Sequence, residues 1–142
     1  MREQLTSKPV LTLAVAKQIA AAAEAEALKN GWNVVIAILD DSASLIYLQR
    51  MDGVQLASID IAVAKAASAV KYRRPTKAFE EALVGGRQAI LMLPHAIPVE
   101  GGLPLNSNGW TVGAIGVSGV QADQDGEIAK AGMRALTGIA VG

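Results

Sequence analysis

Two rhythms of hydrophobic and polar residues run along this chain. Leu11, Val15, Ile19, Ala22 and Ala23 recur at helical spacing, with Lys17, Glu24, Glu26 and Lys29 elsewhere around the helix. With Thr6 or Ser7 as cap, Pro9 in the first turn and Gly31 as the stop, this predicts a helix over 9–29. Residues 33–39 then form a continuous apolar run, the mark of a strand buried on both faces. Asp40, Asp41 and Ser42 make a polar turn, and residues 44–51 return as a second strand, so an antiparallel hairpin is expected. Ile59, Ala62, Val63, Ala66 and Val70 place a helix over 56–72, ended by Arg73-Arg74-Pro75, since the residue before proline avoids helical geometry. Thr76 can cap a short helix over 77–83 before Gly85-Gly86.

Residues 87–100 read as an irregular loop with one short piece of order at Ile90 to Leu93, either a strand or a helical turn, because Pro94 and Pro98 break any longer element. A short strand over 103–105, a turn at Asn106 to Asn108, a clear strand over 110–118 and a helix from Asp123 or Asp125 to Ile139 complete the pattern. The order is α-β-β-α-(α)-β-β-α. It predicts a single α/β (α+β) domain spanning 1–142, with an antiparallel sheet of about five strands and helices on one face.

Composition changes this picture in three ways. The chain has 142 residues with no cysteine, which removes disulfides, thiolate metal sites and cysteine nucleophiles. Thirteen basic residues balance thirteen acidic ones, so there is no electrostatic footprint for nucleic acid. The only basic cluster, Lys71, Arg73, Arg74 and Lys77, reads as a solvated helix end. Apolar residues reach 51% while aromatics are only 4%, so small aliphatics dominate and some apolar surface is expected to be covered in a homo-oligomer. The longest clean apolar run, 34–39, falls far short of the roughly 20 residues of a membrane span, and the start of the chain lacks a signal-peptide core. A cytoplasmic protein with no membrane partner is the expectation.

Candidate chemistry gathers late in the chain. Seven of the fourteen glycines fall between Glu100 and Glu127, where glycine permits positive φ and close approach of a backbone or flat ligand. A tightly packed hairpin without a ligand explains the same density. Gly116-Val117-Ser118-Gly119-Val120 lacks the final glycine of a nucleophile elbow, and neither a dinucleotide fingerprint nor a P-loop is present. Asp123, Asp125 and Glu127 suit the dipole of the last helix. His95 is the sole imidazole, between two prolines, and could bind haem iron or move a proton. Glu100 abuts Gly101-Gly102. Arg50 and Lys65 could each hold a carboxylate, or serve internal Arg50–Asp52 and Lys65–Asp60 pairs.

Taken in order, Arg50-Met51-Asp52-Gly53, Lys65-Ala66, Gly101-Gly102-Leu103-Pro104, Gly113 to Gly119 and Gln124-Asp125 resemble the GlcG/HbpS family and the C-terminal domain of PduO-type proteins. The likeness covers roughly residues 9–140. It implies a roadblock/profilin-like domain, homo-oligomers, and, in some members, haem binding; others belong to operons of small-molecule catabolism. Haem-binding members are associated with a histidine near the N-terminal helix, and 9–29 contains none, which leaves His95 as the only histidine available to iron. Three functions follow. The first is a small-ligand-binding protein, with haem a candidate cofactor, whose ligand would touch Arg50, Lys65, His95, Gly101, Gly102, Gly116, Ser118 and Gly119. The second is an isomerase or lyase for a small organic acid, with His95, Glu100 and Arg50 as catalytic residues. The third is an oligomeric assembly module in which the glycines serve packing alone. The glycine-rich stretch is expected to be a hairpin turning at Gly101-Gly102 and at Gly116 to Gly119.

Overall fold

One of the two central strands of the sheet, Val35–Asp40 (β1), is buried from Val35 through Leu39. Its alternate side chains serve two cores. Ile36 and Ile38 pack with residues of the first and last helices, while Val35, Ala37 and Leu39 pack against the second helix. The computed structural model describes residues 2–142 and gives the order Leu13–Lys29 (α1), β1, Leu45–Arg50 (β2), Ala57–Tyr72 (α2), Thr76–Val84 (α3), a 3₁₀ turn at Gln88–Met92, Gly102–Ser107 (β3), Trp110–Ser118 (β4) and Ala122–Leu136 (α4). The sheet runs β2-β1-β4-β3 with every neighbouring pair antiparallel.

The α+β class with its antiparallel sheet stands as the residue pattern predicts. Helices, however, cover both faces rather than one: α2 lies on one side and α1 with α4 on the other. The apolar run of β1 requires this, since a strand with no polar face must be covered twice. Among the described residues the sheet has four strands, not about five. Ile90 to Leu93 do not pair; Ile90 is instead the buried residue of the 3₁₀ turn. The first helix starts at Leu13, because the Thr12 hydroxyl accepts the Val15 N–H at 3.2 Å and caps it there. The last helix starts at Ala122, where the Gln121 N–H donates to Gln124 Oε1 at 3.3 Å.

The glycine-rich stretch turns at neither glycine pair. Its hairpin turns between Ser107 and Trp110, with Asn108 and Gly109 both at positive φ. Gly102 and Gly116 are cross-strand partners inside the sheet. A Cβ on Gly116 would collide with the Ala62 carbonyl, and one on Gly102 with the Lys65 carbonyl. These two glycines therefore form the seat on which the backbone of α2 rests, with Ala62, Ala66 and Ala69 beside it, all fully buried. Pro104, which has no N–H to donate, is tolerated because β3 is an edge strand. The start of β3 is held from α3, whose Thr76 hydroxyl accepts the Gly102 N–H at 2.9 Å. Thr76 is thus buried and occupied, and Pro75 rather than Thr76 precedes the helix as its cap residue.

Gly116→Ala is expected to lower stability by about 3 kcal/mol, the upper range for forcing atoms into a packed core. Urea unfolding followed by far-UV circular dichroism measures it, and a change under about 0.5 kcal/mol would show that α2 does not rest on this glycine.

Candidate functional site

Around that seat the structure gathers Lys65, Gly101, Gly102, Ser118, Glu100 from the segment before β3 and, from the opposite helical layer, Asp125. Lys65 is carried by α2 on one face of the sheet and Asp125 by α4 on the other. The lysine side chain passes Gly101, where a Cβ would lie 2.7 Å from Nζ, and its ammonium donates to Asp125 Oδ2 and to the Val117 carbonyl, both at 3.0 Å. Asp125 Oδ1 in turn accepts the Val120 N–H at 3.1 Å. Lys65 and Asp125 are only 1% and 2% exposed, so this is a dry ion pair with each charge hydrogen-bonded. Burial pushes the Asp125 carboxyl up, against the opposing pull of the Lys65 ammonium.

Lys65 therefore pairs with Asp125, not with Asp60, and two of its three N–H donors go to acceptors inside the protein. Asp125, which the sequence pattern makes one of three helix-dipole acids, is the partner. A lysine between alanines at a buried position of α2 is the trace of it in the sequence, because a buried ammonium requires a counter-charge.

Glu100 sits next to this pair. Its carboxylate packs against Gly126 of α4, where any Cβ would collide with it, and its N–H donates to Glu80 Oε1 at 3.1 Å. Burial pushes its carboxyl up, with Lys77 and Lys130 pulling the other way. Ser118 is also buried; its hydroxyl lies 3.1 Å from that of Ser58 on α2. Gly119, at φ 152°, closes against the Asn33 carbonyl.

Arg50 and His95 stand outside this group. Arg50 ends the edge strand β2 opposite Val35, whose other neighbour is Ser118, so it lies two strands, about 10 Å, from Ser118 and is exposed. His95 is exposed at φ 63°, in a loop held to α2 by the Tyr72 hydroxyl donating to the Pro94 carbonyl at 2.6 Å and the Ile97 N–H donating to Ser68 Oγ at 3.1 Å. Neither of the two main cavities is lined by Arg50, Lys65, His95 or Glu100. Both open instead around Trp110, one toward the chain termini and one toward the end of α2. No group of three histidine or carboxylate side chains suited to a metal ion occurs among the described residues, and no helix among them is long and apolar enough to cross a membrane.

Comparison with known proteins places this arrangement among relatives. A family described as haem degrading protein HbpS-like matches residues 11–134. Protein GlcG of Escherichia coli K12 is 40% identical over 114 residues, which is 80% of this chain and 85% of GlcG. The crystal structure of Klebsiella pneumoniae protein ORFY superposes with a TM-score of 0.90 at 29% identity, covering 99% of both chains. A structure described as a PduOC–haem complex superposes with a TM-score of 0.81 at 26% identity, covering 94% of this chain and 97% of that one.

Two measurements check the site's energetics. Lys65→Met strands a buried carboxylate and is expected to cost about 4 kcal/mol, while Lys65→Met with Asp125→Leu recovers most of that loss. Equal destabilisation by the single and the double variant in urea titrations would rule out pairing as the cause. For Glu100, a carboxyl raised in the folded state contributes stability below its unfolded pKa of about 4.3 and loses it as pH rises through the higher folded value. Glu100→Gln should then match the parent in Tm near pH 4 and exceed it at pH 7; a lower Tm at pH 7 would contradict a cost from burying this charge.

Proposed function

The chain belongs to the HbpS-like family, and from that premise we propose that it is a small-ligand-binding protein, cytoplasmic and homo-oligomeric, accessory to a small-molecule catabolic pathway, with haem as its ligand and His95 as the residue that would hold the iron. The observation that carries the haem reading is the likeness, over 94% of the chain, to a domain whose structure is described as a haem complex.

The donor chemistry of this chain fits that ligand in part. His95 offers the single imidazole, and its left-handed backbone projects it from a loop pinned to α2 at Pro94 and Ile97. Exposed Leu91, Met92, Leu93 and Val99 flank it in the chain and supply apolar surface of the kind a porphyrin face needs. One chain does not supply enclosure, because His95 lines neither main cavity. A second copy covering this segment would close the site, which joins the ligand reading to the oligomer that the apolar excess suggests. When bound, haem would bring its own redox and oxygen chemistry, and the residues named here would hold and shield it. The isomerase or lyase reading has less support: Lys65 is paired with Asp125, and neither Arg50 nor His95 lines either cavity around Trp110.

Titration with haem should give a saturable Soret shift that is lost in His95→Asn, a substitution that keeps the left-handed backbone accessible and so preserves the fold. An unchanged Soret band in that variant would remove His95 as the ligand. Complete absence of a shift would remove haem.

A further inference from the structure

The two main cavities share a wall. Lys8 and Trp110 line both. The first, about 560 Å³, is bounded by Val10, Leu11, Val15, Val112, Leu136 and Ile139. The second, about 690 Å³, is bounded by Lys71, Arg73, Asp41 and Thr111. Each falls within the size of ordinary small-molecule sites. One end of the combined groove is therefore apolar and the other cationic, with a half-exposed indole between them.

We propose that this groove binds a small amphipathic anion, with an apolar acyl or aryl body in the first cavity and a carboxylate or phosphate head at Lys71 and Arg73. Charge complementarity selects the occupant. Lys8 is tied to Asp41 on the shared rim, while Lys71 and Arg73 have no acidic partner among the described residues. Two free cations beside an apolar cleft match a single head on an apolar body, and would repel an amphipathic cation. Trp110 opens β4 at 45% exposure, where its ring can lie along the body of such a ligand.

The backbone adds an independent observation. Arg73 ends α2 in the left-handed conformation, φ 52° and ψ 43°, a position that glycine ordinarily fills. An arginine held there is strained, and residues kept in such conformations concentrate at ligand clamps. Its place at the helix end puts Arg73 on the wall of the second cavity. What the sequence shows as a basic cluster at a helix end is, in the fold, the polar half of a groove. The inference is separate from the haem reading, since it involves neither His95 nor iron.

The test is titration of the 142-residue protein with decanoate, followed by tryptophan fluorescence and calorimetry, with 1-decanol and acetate as comparators. Decanoate is expected to bind saturably, at least tenfold more tightly than 1-decanol, with no binding of acetate. The double variant Lys71→Ala/Arg73→Gly should lose at least tenfold in decanoate affinity while its weak response to 1-decanol stays unchanged. Glycine is at home in the left-handed position, so Arg73→Gly should keep or raise the Tm, and lost binding then cannot be lost folding. Equal affinity for decanoate and 1-decanol, undiminished affinity in the double variant, or no saturable decanoate binding would each overturn the proposal. So would a fluorescence response that persists in Trp110→Phe, which would assign it to Trp32.

Discussion

The buried Lys65–Asp125 pair is the interaction on which the rest of this structure hangs. It joins helices on opposite faces of the sheet, α2 and α4, around the end of β4. For the ammonium to reach Asp125, α2 must lie low on the sheet and the start of β3 must leave room for the lysine stem. Gly102 and Gly116 meet the first demand and Gly101 the second. Dry charges in a domain of this size would be a liability alone, but here both carry an additional hydrogen bond: the ammonium donates to the Val117 carbonyl and the carboxylate accepts from the Val120 N–H. The pair fixes the relation of three layers at one point.

Such an arrangement accounts for glycines at positions where no Cβ would fit. Glycine density is a record of close approach, and approach by a helix backbone is indistinguishable in sequence from approach by a flat ligand. At Gly102 and Gly116 the helix is what approaches. Glu100 tells the same story from the other layer: Gly126 is glycine because a carboxylate occupies the volume its Cβ would need. The two proposed sites, the His95 loop and the groove around Trp110, both lie on surfaces that this packing leaves open.

The two functional readings use different physics. Haem at His95 depends on one soft donor and on apolar cover that one chain does not provide, so it is tied to assembly. The groove depends on charge placed beside an apolar wall within a single chain. It draws its polarity from the end of α2, the same helix whose middle is anchored by Lys65.

The pattern of apolar residues by itself determined the element types and their order, because burial period is local: 3.6 for α2, and an unbroken run for β1. It also contained the evidence for helices on both faces, in a strand with no polar side. The ordered motifs from Arg50 to Asp125 were enough to indicate the family. What the sequence left undecided was every pairing between distant residues. Lys65 has Asp60 five residues before it on the same helix, and only the superposition of three layers makes Asp125, sixty residues away, the partner. Likewise Lys71 and Arg73 read as a solvated helix end until the fold sets Trp110 and the chain termini beside them. Long-range electrostatic and steric partners are fixed by tertiary packing, and no local period carries them.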